Sequence, residues 1–457
     1  MRRSIGAGRA LAQCTVATLT VAAGNAGAHD LYAGPDGSRF SIDTEIGVGY
    51  FSSQDDYSGR GREEVDWSEA YIKAGISGER ALGNGASVYG ALNLLASTTD
   101  GDGDAGGFTT GEESELDLED AYVGWRSGGL FGEADNGVDF SVGSQAFTVG
   151  DGWLINGDAL NVGAGLGDDV DRGGAYWLAP RRAFRRTAIA RFSTASPWRG
   201  DVFYLASDNA VQGDTEIAGV NVEYGNDRLG TLAATYLRVV DVDDEVLGGL
   251  QAHREDLNTL SVRGNGSLGL DDTTFAFEAT MQRGDPGIAG GDADVRAHAW
   301  YVEGGYQFAD APLAPKITYR FSRFSGDDPD TTDIEAYDPL FYGFSRGYGT
   351  WFQGEVAGNY TGPFNTNADV QHVGLYLHPH ERVRLGALYF DFTSRETASG
   401  VSDDFAEEVD VFMEYAVTDR LFVSPVYSRF EPGQGLADTL GRDETNHYFQ
   451  LIAIWNY

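Results

Sequence analysis

The chain of 457 residues has almost no cysteine and almost no lysine. Its one cysteine, Cys14, lies in an N-terminal segment that reads as an export leader. The exported protein then has no disulfide, no thiolate metal site and no thiol chemistry. Lysine occurs only at Lys73 and Lys316, so nearly all positive charge is arginine. Beyond the leader no apolar run approaches the roughly 18 residues of a membrane-spanning helix. Charge of one sign is also scarce: 32 basic residues face 70 acidic ones, a net charge of −38. That sign argues against nucleic acid as a partner.

What is present begins with the leader. Arg2, Arg3 and Arg9 form a positive start, Ala10 to Ala23 form an apolar stretch too short to span a bilayer, and Ala26, Gly27 and Ala28 give a small-x-small cleavage pattern. Residues 1–28 are expected to be a cleaved signal peptide, and 29–457 a single domain. Gln13 is too bulky for the position before a lipidated cysteine, so lipidation of Cys14 is not expected.

Period-two alternation follows in segments of about ten residues. Phe40, Ile42, Thr44, Ile46, Val48 and Tyr50 share one face and Asp43 and Glu45 the other. Val220 and Val222 oppose Asn221 and Glu223, Val302 and Tyr306 oppose Glu303 and Gln307, and Ile317 and Tyr319 oppose Thr318 and Arg320. One apolar and one polar face is the pattern of a barrel wall with lipid outside and water inside. About eighteen strands are expected, the first near 38–52 and the last 446–457. In that last strand Phe449, Leu451, Ala453, Trp455 and Tyr457 form an outer face with aromatic ends. A buried closing strand of a soluble sandwich has a similar pattern, and the connections decide between the two. Those after even-numbered strands are mostly short, as at 195–199, 225–227, 269–272, 379–381 and 418–419. Those after odd-numbered strands are mostly long and acidic, as at 98–114, 241–255, 326–370 and 393–408. This asymmetry predicts an all-β transmembrane antiparallel barrel of about 18 strands in the outer membrane of a Gram-negative cell. Its short turns are periplasmic, and Tyr457 sits at the periplasmic rim, open to the barrel-assembly machinery.

Several motifs carry candidate chemistry. Asp100, Asp102 and Asp104 alternate with glycine like the start of a calcium loop, but the twelfth position is Gly111, so a solvated acidic loop near lipopolysaccharide is expected. His378 and His380 flank Pro379 in a turn without metal-ligand partners. No Gly-x-Ser-x-Gly elbow appears. No enzyme, metal or cofactor is expected, although an embedded hydrolase built from distant strands stays open. The functional signal is arginine. By parity Arg126, Arg185, Arg191, Arg238, Arg263, Lys316, Arg320 and Arg384 are expected to line the lumen, where cations favour anion passage. Against this stands simple pairing with inward Glu69, Asp120, Glu223, Glu303 and Glu414.

Two stretches resemble the alginate-export family of outer-membrane barrels. Phe140 to Gln145 (FSVGSQ), followed by Val149 to Gly152 (VGDG), resembles a family strand, turn and glycine-rich loop, with Ser144 in place of the usual basic residue. Tyr337, Asp338, Pro339, Leu340 and Phe341, with Gly347 to Trp351 (GYGTW) after them, resemble a family long-loop segment. Leu118 to Tyr122 (LEDAY) resembles a strand segment more weakly. The resemblance implies an eighteen-stranded barrel with an arginine-lined, anion-selective pore for an acidic polysaccharide. Loops 150–185 and 326–370 are expected to fold over or into the lumen. A substrate-specific or general uptake porin for small solutes remains the alternative reading, and a plugged structural or adhesive barrel a third.

Overall fold

A strand edge facing lipid leaves its N–H and C=O groups without partners, so a sheet in a bilayer has to close on itself. This sheet closes. The computed structural model describes residues 28–457 apart from 132–136, 227, 244, 246, 248, 288–292, 344–352 and 442. The expected signal peptide, Ala28 excepted, lies outside them.

The strands run β1 (Ala28–Ala33), β2 (Arg39–Ser53), β3 (Val65–Gly83), β4 (Ala86–Gly101), β5 (Ser114–Arg126) and β6 (Val138–Gln145). They continue with β7 (Phe184–Ser193), β8 (Trp198–Ala206), β9 (Glu216–Asn226), β10 (Gly230–Asp241), β11 (Asn258–Gly266) and β12 (Thr273–Gly284). The last are β13 (Val295–Gln307), β14 (Lys316–Phe324), β15 (Ala368–His380), β16 (Val383–Ser394), β17 (Asp404–Ala416), β18 (Leu421–Pro432) and β19 (Asn446–Asn456). From β2 to β19 each strand pairs antiparallel with the next, and β19 returns to β2 with Tyr448 opposite Ser53 and Asn456 opposite Glu45. The result is the expected closed barrel of eighteen strands.

One strand was not expected. β19 covers the β2 edge only down to Glu45, and the short β1 pairs with the remainder, from Ala28 opposite Asp43 to Ala33 opposite Arg39. The backbone N–H of Tyr457 donates to the Thr44 carbonyl between the two, and the His29 and Tyr457 rings stand 5.4 Å apart. β1 and β19 thus share one line along β2 and cover its edge at the seam.

The faces follow the sequence pattern. On β19, Phe449, Leu451 and Tyr457 are exposed outward, whereas Tyr448, Gln450 and Ile452 are fully buried inside. Trp455 stacks on Tyr457 at 5.6 Å at the short-turn rim, where Arg420 lies over the Tyr457 ring at 4.8 Å. The connections keep the asymmetry: Asn84 and Gly85 alone join β3 to β4, while 146–183 separate β6 from β7 and 325–367 separate β14 from β15.

Both long loops fill the lumen. Phe51 stacks on Trp67 at 5.1 Å, Trp177 from the first loop reaches Phe51 at 5.7 Å, and Tyr360 from the second meets Trp67 at 5.7 Å and Tyr448 at 5.6 Å. The wall makes room for these rings with glycine. A Cβ on Gly49 would stand 2.6 Å from the Phe51 ring.

The outer face gives a stability prediction. Leu451 lies between the aromatic edges of the band, so Leu451→Arg is expected to cost about 2–4 kcal/mol, the cost of arginine near the bilayer midplane. Equilibrium urea unfolding in lipid vesicles measures it. A change below about 0.5 kcal/mol would place that face elsewhere than in lipid.

Candidate functional site

Loop backbone inside a barrel carries N–H groups that need acceptors. Here wall carboxylates supply them. Glu69 on β3 accepts the N–H groups of Trp177 and Leu178 at 3.1 and 2.9 Å, and Trp67 Nε1 at 3.2 Å. Glu119 on β5 accepts those of Arg182 and Ala183 at 2.8 and 3.0 Å. Glu408 on β17 accepts three from the other loop, Glu355, Val356 and Ala357, at 2.7–2.9 Å. Trp177 Nε1 then donates to Glu355 Oε2 at 2.9 Å, which ties one loop to the other.

The two motif stretches meet in the lumen. Ile155 and Phe341 form a parallel bridge, with the Asn156 N–H on the Phe341 carbonyl at 2.8 Å and the Phe341 N–H on the Leu154 carbonyl at 3.1 Å. Gly152 holds φ +86°, and a Cβ there would stand 2.8 Å from the Gly343 carbonyl oxygen, which favours glycine at this crossing. Asp151 accepts the Tyr301 hydroxyl at 2.7 Å and Trp153 Nε1 donates to Thr280 at 3.0 Å. Asp338 is buried and accepts Arg254 Nε at 2.6 Å, Arg254 Nη2 at 2.9 Å and a bond from His253 Nε2 at 2.9 Å. Burial alone would raise its pKa, but the Arg254 charge and the His253 contact hold it well below the usual carboxylate range. Gln282 bonds both backbone groups of Asp338, at 3.0 and 2.7 Å. Tyr337, Leu340 and Phe341 are buried alongside it, and Pro339 links them. The stretch 347–351 lies outside the described residues.

The expected lumen cations do not form one track. Arg126 pairs with Glu79 at 3.1 Å and Asp139 at 3.2 Å, Arg263 with Glu223 at 2.5 Å, Arg320 with Glu303 at 3.3 Å, and Arg384 with Glu414. Three of these pairs sit directly opposite in the strand register: Arg126 with Asp139, Glu303 with Arg320, and Arg384 with Glu414. Pairing is thus the rule for these four. Lys316 is half-buried on the inner face of β14.

Arg238 is a correction. It faces outward beside exposed Tyr236 and pairs with Asp256, while Leu237 and Val239 face the lumen. At this height the lumen holds apolar loop instead of water, so assigning the polar face to the inside fails. Arg185 and Arg191 on β7 do face inward and are the least tightly paired, although Arg191 stands opposite Asp139 and Asp201 in the register. Arg185 has Asp208 at 3.9 Å, and Arg191 makes no ion pair among the described residues, lying 5.7 Å from the centre of the Phe147 ring.

The aspartate-glycine loop differs from expectation at one of its three acids, Asp100 being exposed and Asp102 partly so. Asp104 is fully buried, not solvated, and accepts the Thr109 and Gly106 N–H groups at 2.5 and 2.8 Å. Arg60 donates to the carbonyls of Asp102, Thr109 and Asp104 at 3.1, 3.0 and 2.6 Å, where a bound cation would otherwise have drawn them. Among the described residues no group of three His, Cys, Asp or Glu is placed to hold a metal ion. Sequence reasoning missed Arg254 and Arg181. Loop arginines have no strand parity to read.

The family model for alginate export matches residues 94–450. Among solved structures, a BenF-like porin from Pseudomonas fluorescens Pf-5 is similar at 11% identity and TM-score 0.59. OccK5 (OpdH) of Pseudomonas aeruginosa follows at 9% and 0.57, and OpdK of the same species, solved with vanillate, at 11% and 0.55. Each alignment covers 91% of this chain and 98% of the other. At such identity the likeness is one of fold. No curated protein matches the sequence.

Two predictions follow from the seating of the loops. Glu408→Ala leaves three N–H groups without an acceptor, each costing about 1–3 kcal/mol. It is expected to free residues 353–361, seen as faster amide exchange there while β17 stays protected. Unchanged exchange would show that Glu408 does not hold the loop. The second concerns pH. Burial, then the Glu408 charge, pushes the Glu355 pKa from 4.5 to about 8. A raised folded-state pKa means its contribution is full below 4.5 and is lost as pH rises through about 8. Thermal midpoints should therefore fall between pH 5 and 8, and Glu355→Gln should flatten that slope. An equal slope in the variant would refute the assignment.

Proposed function

The chain belongs to the alginate-export family, and from that premise we propose that it is an outer-membrane channel passing an acidic saccharide by anion-selective diffusion. The fold and the family support a channel at the outer membrane. The passage of anions rests on one observation: Arg185 and Arg191 stand on one strand facing the lumen with weak or no ion pairing, while Arg126, Arg263, Arg320 and Arg384 are each matched by a wall carboxylate. Weakly paired guanidinium groups along a wall lower the barrier for carboxylates without creating one tight site, the condition for throughput. Matched pairs hold the wall in shape and add little field.

In this reading the long-loop rim faces outward among lipopolysaccharide and the short-turn rim faces the periplasm. β19 is then the strand offered to the assembly machinery. The acids that face the lumen are in part already engaged: Glu69, Glu119 and Glu408 are spent on loop backbone, and Glu79, Asp139, Glu223, Glu303 and Glu414 on arginine.

Planar bilayers with a salt gradient test this. The reversal potential is expected to have the sign of anion selectivity, and the double substitution Arg185→Gln, Arg191→Gln to move it toward zero. Cation selectivity that the double substitution leaves unchanged would overturn the proposal.

A further inference from the structure

Beside β7 the lumen holds a cavity of about 170 Å³, enclosed by β5, β6 and the loop 146–183. Its charges are only partly matched. Arg172 is satisfied by Asp158 at 3.3 Å and Asp208 at 3.4 Å, and Glu119 by the two loop N–H groups already described. Asp171 accepts the Gly173 N–H at 2.8 Å, which leaves two cations, Arg181 and Arg185, and two acids, Glu115 and Asp117.

Arg181 is 4% exposed, yet it makes no ion pair among the described residues. Its Nε donates to the Arg172 carbonyl at 3.0 Å and its Nη2 reaches Ser97 Oγ at 3.4 Å, which uses two of five donors. Burial accordingly lowers its pKa from the ordinary guanidinium value. The charges of Glu119, Glu115 and Asp117 oppose that shift from a distance, but a buried guanidinium with no carboxylate in contact is still costly, and an anion bound to it recovers part of the cost. Arg185 lines the same cavity with its only carboxylate 3.9 Å away.

On the opposite side Glu115 and Asp117 alternate along the inner face of β5. That face is fixed by the register, Glu115 lying opposite buried Ser97, and by Leu116 between them, which is 68% exposed to the outside. Both line the cavity and neither forms an ion pair among the described residues. Ser144 adds a neutral hydroxyl where a basic side chain would have tipped the balance toward anions.

A polyanion fits this cavity poorly, because the two free acids repel a second carboxylate. The volume is also below the roughly 300–1,000 Å³ of sites for drug-sized ligands. What fits is one small molecule with a negative and a positive end. We propose that the cavity is a binding site for a small zwitterion, its carboxylate on Arg181 and Arg185 and its ammonium on Glu115 and Asp117. Arg185 also belongs to the anion path proposed above, but the site requires only the folded barrel and not anion selectivity.

Calorimetric titration of the intact barrel in detergent, using L-alanine, propionate and ethylamine, tests the proposal. L-Alanine is expected to bind at least about tenfold more tightly than either half-molecule, the worth of one charged hydrogen bond. Glu115→Gln with Asp117→Asn should bring L-alanine down to the level of propionate. Arg181→Gln should bring it to the level of ethylamine, and Arg186→Gln, which faces outward, should change nothing. Circular dichroism confirms that each variant folds. Propionate binding as tightly as L-alanine, or no L-alanine binding by the folded native protein, overturns the proposal. L-Alanine binding without anion selectivity in the bilayer would leave this site standing and remove the channel reading instead.

Discussion

The structure depends on carboxylates that serve as hydrogen-bond acceptors for chain folded inside the barrel. An eighteen-stranded wall encloses more space than its own side chains fill, and two long loops occupy it. Their backbone can stay there only if its N–H groups are bonded, since water is largely displaced from the aromatic stack around Trp67, Trp177 and Tyr360. Glu69, Glu119 and Glu408 each take two or three such groups. Part of the acid excess is therefore structural. A carboxylate offers about four lone-pair positions and no donor, which suits a wall residue that must receive several N–H groups at once.

A second constraint acts at the seam. Closure requires β2 to be paired along its whole length, yet β19 runs out at Asn456. β1 completes the row, and the aromatic rings of His29, Trp455 and Tyr457 gather where the two ends meet. The same rings sit where the apolar band ends, a position that suits side chains with one apolar and one polar aspect. One cluster thus finishes both the hydrogen-bond ladder and the lipid-facing belt.

Most of the wall was legible in the sequence, because lipid outside and polar lumen inside write a period-two pattern that few other environments produce. The alternation of short and long connections was legible for the same reason, and the structure keeps it, with two residues between β3 and β4 against 146–183 and 325–367 in the long loops. β1 was not legible, since His29, Asp30, Leu31 and Tyr32 have no alternation and a bulge interrupts their pairing. Arg238 was misread because parity tells two faces apart but not which of them meets water. Where loops replace water in the lumen, Leu237 turns inward and the arginine outward. The contacts of Asp338 with Arg254 and Gln282 span 84 and 56 residues. No local pattern encodes such distances, although the run from Tyr337 to Phe341 marked the place.

Net charge is a poor guide to what passes a wall like this one. Strand register places arginine opposite acid at Arg320 and Glu303 and at Arg384 and Glu414, and such pairs present little field to a solute. Other acids are bound to loop N–H groups. What a solute meets is the remainder, and the remainder is local. On β7 it is positive, with Arg185 and Arg191, while across the neighbouring cavity it is divided, with Arg181 and Arg185 facing Glu115 and Asp117. A chain with a formal charge of −38 can for this reason favour anions along one wall and hold a zwitterion beside it. In the proposed reading selectivity follows from which charges the fold leaves unmatched, not from how many it contains.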